Sequence, residues 1–110
     1  MTYAHKNLAA GDWNKMPFVE QMANIGSEVG RALNWKAKNN PTYSQAAFER
    51  AMELMDLTLD SVKSFPRLKE VARFREGIAD YFTGTNEFKF TAESLNKYFL
   101  NFTFAARKNR

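Results

Sequence analysis

From residue 17 onward, apolar side chains recur every three to four residues, and Pro, Asn or Gly break the recurrence at four sensible places. A chain patterned in this way folds as helices whose apolar stripes must cover one another. The first helix is expected from about Pro17 to about Lys38, with Phe18, Met22, Ile25, Val29, Ala32 and Leu33 on one stripe. Proline suits a first turn because its missing N–H has no partner there in any case. Asn39-Asn40-Pro41 ends this helix, and a second runs from about Tyr43 to Lys63. Its start, Thr42-Tyr43-Ser44-Gln45, has the form in which Thr and Gln side chains reciprocally satisfy free backbone donors. Ser64-Phe65-Pro66 turns the chain into a third helix carrying Leu68, Val71, Ala72, Ile78, Ala79 and Phe82, which Gly84 stops. A fourth follows Thr91 and carries Leu95, Tyr98, Phe99, Phe102, Ala105 and Ala106.

Among 110 residues, 45% are hydrophobic, enough for one core and too few for two. The expectation is one helical-bundle domain over residues 17–110, preceded by a flexible N-terminal arm over residues 1–16. Short links between long helices make neighbours antiparallel, so the expected fold class is all-α, an antiparallel up-down four-helix bundle. The core stripe of the second helix takes in Phe48, Ala51, Met52, Met55, Leu59 and Val62, which leaves Leu54 and Leu57 outside it. Leu100 and Phe104 likewise fall off the main stripe of the fourth helix. The last 29 residues hold six of the ten Phe, more apolar surface than four helices easily cover. Leu54, Leu57, Leu100 and Phe104 are therefore interface candidates, and a homodimer or higher homo-oligomer is the expected partner state. Ala23, Gly26 and Gly30 lie beside the stripe of the first helix, where small residues let another helix approach closely.

With no Cys and one His, the chain holds no disulfide, thiolate nucleophile, cysteine-ligated cluster or two-imidazole metal site. The single His5 lies in the arm, and no base stands ready for a Ser or Thr nucleophile. No catalytic residue, metal or cofactor is expected. Sixteen basic against twelve acidic residues give a formal charge of +4, with +1 in residues 1–55 and +3 in residues 56–110. That excess suits weak attraction to nucleic acid or another phosphate ligand and falls short of a dedicated nucleic-acid module. No segment has the roughly 20 apolar residues of a membrane span, and the first eleven residues lack a signal-peptide core, so the expected location is cytoplasmic.

Two charge patterns carry the remaining site candidates. Glu49, Glu53, Asp56 and Asp60 are spaced four, three and four apart and share one stripe of the second helix. Such a stripe is a solvated face, an acceptor for a basic neighbour, or a set of hard oxygen ligands for Mg²⁺. Lys63, Arg67, Lys69 and Arg73 surround and follow the start of the third helix, where a bound anion would be attracted by free N–H groups, the helix dipole and the cations together. Arg75 sits at the middle of that helix's apolar arc. It either pairs with an acid of a neighbouring helix and fixes register, or clamps an anion in a cavity.

Glu53-x-x-Asp56 resembles half of the E-x-x-E plus E-x-x-D constellation of the MazG-like all-α nucleotide pyrophosphohydrolases, a resemblance that implies Mg²⁺ held between helices. The other half is missing, because Glu20, Glu28, Glu70, Glu76, Glu87 and Glu93 have no Glu three positions on. The HEPN ribonucleases share the size and helix content, but no Arg here precedes a His. Arg31-Ala32-Leu33-Asn34-Trp35, the run Phe48 to Leu54, Lys97-Tyr98-Phe99 and Ala105-Ala106-Arg107 are similar to short uncharacterised prokaryotic helical-bundle proteins. That resemblance implies the fold and no particular activity. The reading reached is a non-enzymatic bundle that binds itself or a protein partner through surplus apolar helix faces, with phosphate or RNA binding, or Mg²⁺-dependent nucleotide processing, as the alternative.

Overall fold

The computed structural model describes residues 10–108, and they form five helices. These are α1 (Ala10–Asn14), α2 (Phe18–Ala37), α3 (Pro41–Ser61), α4 (Phe65–Thr83) and α5 (Ala92–Lys108), with no strand among the described residues. The four long helices begin within two residues of where the apolar periodicity places them. None is long and apolar enough to cross a membrane.

The extra helix, α1, falls in the segment expected to be a flexible arm. Trp13 is fully buried there and its indole N–H donates to Thr58 Oγ1 at 2.8 Å, while Gln21 Nε2 donates to the Trp13 carbonyl at 2.8 Å. A five-residue helix is too short to show periodicity, and one large ring with a satisfied polar handle is enough to hold it. The arm assignment is thus corrected for residues 10–16; residues 1–9, with His5, lie outside the described region.

The links follow local chemistry. After α2, Asn39 adopts a left-handed φ of 59°, and the N–H groups of Asn39 and Asn40 return to the carbonyls of Lys36 and Trp35. This is the paired C-terminal closure that Asn tolerates because its side chain pays little in that conformation. The expected Thr42–Gln45 cap is not the one used: α3 starts a residue earlier at Pro41, and Asn40 Oδ1 accepts from the Tyr43 N–H at 3.0 Å. Proline at the first helical position leaves Asn40 as the cap, and Asn is a strong one. At α5, Thr91 Oγ1 accepts from the Ser94 N–H and Ser94 Oγ accepts from the Thr91 N–H, at 2.9 and 2.8 Å. The connection between α4 and α5 is organised by one carboxylate. Asp80 Oδ1 accepts from the N–H groups of Thr85 and Asn86, and Oδ2 from that of Phe88, at 3.1 to 3.3 Å.

Packing centres on α2, which contacts both α3 and α5 extensively, while α3 also touches α1 and α4. Ser44 Oγ donating to the Ala32 carbonyl, Arg50 meeting Glu28, and Gln21 meeting Ser61 show α2 and α3 running antiparallel. The α2 stripe is buried as expected at Met22, Ile25, Val29, Ala32 and Leu33. On α3 the buried arc is wider than one stripe: Leu54 and Leu57, expected at an interface, are 2% and 4% exposed. The cause is the number of neighbours, because α1, α2 and α4 all pack on α3. At α5, Phe99 packs so closely on α2 that a Cβ at Gly26 would come within 2.6 Å of the Phe99 Cβ. Phe74 of α4 stacks on Tyr98 with ring centroids 3.6 Å apart and on Phe90 at 5.4 Å, tying α4, α5 and their connection together.

Candidate functional site

α5 carries its apolar residues on two sides. Leu95, Phe99 and Ala106 are buried against the body of the protein, whereas Leu100 and Phe104 are 49% and 54% exposed. They are four residues apart, so both project from one outer stripe. Beside them α2 presents Ser27 and Gly26, and these residues with Glu93, Asn96, Lys97, Phe99, Leu100 and Thr103 line a groove of about 730 Å³. Small α2 residues make the groove: Gly26 admits Phe99, and a Cβ on Gly30 would meet nothing within 4 Å. The close approach read from Ala23, Gly26 and Gly30 thus occurs at Gly26 toward α5, while Gly30 leaves its side of α2 open.

Leu100 and Phe104 are where an interface would need them, while Leu54 and Leu57 are spent on the core. Two further large apolar side chains are exposed among the described residues, Tyr43 at 56% and Phe65 at 68%. Tyr43 is partly engaged, with its ring edge-to-face on Trp35 at 4.9 Å. Phe65 stands at the opposite end of the neighbouring connection, at the first position of α4.

Of the basic candidates, Lys63 and Arg67 are brought to one cavity. Lys63 and Arg67 line a cavity of about 350 Å³ with Phe18, Gln21 and Ser61, and the Arg67 guanidinium carbon lies 4.7 Å from the Phe18 ring centroid. Lys69 lies over Phe65 and Arg73 over Phe88. Arg75 is engaged by a carboxylate: its Nε donates to Asp56 Oδ1 at 2.7 Å and its Nη2 to Oδ2 at 3.3 Å. With side chains 35% and 49% exposed, this pair ties α4 to α3, the pairing with an acid of a neighbouring helix that the sequence offered as one of two readings of Arg75. The guanidinium reaches sideways off the stripe to a carboxylate one helix away.

Of the acidic stripe, Asp56 is taken by Arg75, Glu49 accepts from Gln45 at 3.3 Å, and Asp60 is exposed. Glu53 is half-buried. Among the described residues no three carboxylate or imidazole groups stand together in a way that could hold a metal ion.

The buried charge lies elsewhere. Glu28 of α2 is 6% exposed and accepts from Arg50 Nε at 2.6 Å and from Arg31. The sequence does carry its signal, since Glu28 lies three residues from Ile25 and four from Ala32 and so interrupts the apolar stripe. The Tyr98 hydroxyl donates to Glu70 Oε1 at 3.2 Å. Burial, then the Glu70 charge and this hydrogen bond, push the Tyr98 phenol well above its ordinary value, because all three disfavour a phenolate. The Glu28–Arg50 bond joins α2 to α3, and the Tyr98 bond joins α5 to α4. Comparison of the chain with known protein families, with curated proteins and with solved structures finds no match.

Proposed function

We propose that this chain is a non-catalytic helical-bundle protein, its four long helices arranged up and down, that associates with a second copy through the outer face formed by α5 and α2. The observation that supports this most is the half-exposed pair Leu100 and Phe104 on one stripe, next to a groove floored by Gly26 and Ser27. An exposed apolar pair beside a concave, small-residue surface is what a helix from another molecule fills. The phosphate-binding alternative is less well supported, because four of the five cations named for it, Arg67, Lys69, Arg73 and Arg75, face Phe18, Phe65, Phe88 and Asp56.

The strength of association follows from area. Covering the exposed halves of Leu100 and Phe104 in two copies removes on the order of 300 Å² of apolar surface, a gross gain of about 8 kcal/mol. Association itself costs about 4–15 kcal/mol. At the low end of that cost about 4 kcal/mol remains, which is a reversible dimer with a Kd of about 1 mM and not an obligate one. Sedimentation velocity over about 10 μM to 1 mM is expected to show the average mass rising toward that of a dimer. The variant Leu100→Lys with Phe104→Lys is expected to stay monomeric over the same range. A wild-type chain that remains monomeric at the highest concentration overturns the reading.

A further inference from the structure

We propose that the second copy docks with its α5 antiparallel to α5 of the first, about a two-fold axis passing beside Leu100. This rests on the self-association reading above and adds its geometry. Glu93 and Arg107 stand seven residues before and after Leu100. Seven residues are about 20° short of two helical turns, so all three lie on one stripe, with the charges about 10.5 Å to either side of Leu100 along the axis. Both charged residues are exposed and neither makes an ion pair with a described residue.

Charge order then selects the orientation. With helices antiparallel, Glu93 of each copy faces Arg107 of the other, and two opposite-charge pairs flank a central Leu100–Leu100 contact. With helices parallel, Glu93 would face Glu93 and Arg107 would face Arg107, two like-charge contacts. The polar and apolar neighbours agree with the first arrangement. Lys97 and Phe104 project to one side of the stripe at nearly equal distances from Leu100 in opposite directions, so the two-fold brings the Lys97 stem and ammonium of one copy onto the Phe104 ring of the other. On the other side Asn96 meets Thr103 in the same way. Every residue on the stripe then has a complementary partner, which a self-complementary interface requires.

Charge reversal and cross-linking test the geometry. Glu93→Arg or Arg107→Glu alone turns two attractive contacts into two repulsive ones and is expected to weaken dimerisation about 10- to 30-fold at low salt, less at 0.5 M salt. The double variant E93R/R107E restores the pairs with their signs exchanged and is expected to return to within about threefold of wild type. The chain has no Cys, so engineered thiols report contacts cleanly. A mixture of Asn96→Cys and Thr103→Cys chains is expected to form a mixed disulfide, while Asn96→Cys alone does not, since its two sulfurs would lie about 12 Å apart along the helices. Dimers that ignore the charge reversals, or Asn96→Cys chains that cross-link to themselves, overturn the antiparallel arrangement while leaving self-association standing. Absence of any dimer in the wild type overturns both.

Discussion

The buried carboxylate of Glu28 gives the sharpest test of how α2 and α3 are held. Its side chain is 8% exposed, and its two guanidinium partners, Arg50 and Arg31, are 33% and 57% exposed. Removing one member of a fully buried ion pair costs about 3–5 kcal/mol, because the survivor is left charged and dry. Here the survivors differ. Glu28→Gln leaves two cations that can turn to water, so its cost is discounted to about 1–2 kcal/mol. Arg50→Met leaves the buried carboxylate with only the largely exposed Arg31, and about 2–3 kcal/mol is expected. Glu28→Met removes the charge that had to be desolvated and keeps the volume, so it should lie within about 1 kcal/mol of wild type. Urea unfolding followed by circular dichroism checks all three, with stability read from the midpoint at constant slope. The double variant Glu28→Met/Arg50→Met should be far less damaged than the sum of its parts, since no charge is stranded. Arg50→Met as stable as wild type, or Glu28→Met clearly worse than Glu28→Gln, would refute the reasoning, because either would mean that the carboxylate is not a desolvated charge in need of that partner.

Four further outcomes follow from the same geometry. Leu54→Ala, at a site 2% exposed, should cost about 2–5 kcal/mol in chemical unfolding, and Leu100→Ala under about 1 kcal/mol while weakening association; equal costs would count against the division between core and outer face. Gly77→Ala places a methyl group against the Phe90 ring and should destabilise by about 1–3 kcal/mol, whereas Gly30→Ala, which meets nothing, should stabilise slightly through its helix propensity. Asp80→Ala removes the acceptor for three backbone donors of the α4–α5 connection and should raise hydrogen exchange over residues 84–90 before it affects α2 and α3. The phenol of Tyr98 is held protonated above its ordinary value of 10.0. A raised phenol contributes stability fully present below the unfolded value and lost as pH rises above it, so wild type should lose stability beyond about pH 10 and Tyr98→Phe should lose less.

The sequence makes the long helices legible because each buries a stripe with the helical period: Met22, Ile25, Val29 and Leu33 on α2, and Leu95 and Phe99 on α5, are where the spacing puts them. It is silent on how many neighbours an element has. Leu54 and Leu57 look like leftovers of α3 when one stripe is assumed to face the core, and they are core because α1 and α4 also pack there. α1 itself is invisible to periodicity, since its hold is one Trp13 ring and the two hydrogen bonds that Trp13 makes with Thr58 and Gln21. Side-chain reach blurs the reading in a second way. Arg75 sits mid-arc by angle and yet extends to Asp56 at the surface, whereas Glu28, passed over as one more charge, is too short to escape and is buried with its partners. The outer stripe of α5 was legible from Leu100 and Phe104 being off the core arc; what the sequence lacked was the groove beside them, which depends on Gly26 letting Phe99 approach α2.

The most direct test of the self-association claim is a dilution series of ¹⁵N-labelled protein followed by NMR, in which each backbone amide reports its own environment. The account predicts concentration-dependent shifts confined to the outer stripe of α5, from Glu93 to Arg107 with Leu100 and Phe104 strongest, and to Gly26, Ser27 and Gly30 of α2. Spectra that do not change with concentration, or shifts that gather on α3 and the start of α4 around Glu49, Asp60 and Phe65, would contradict it.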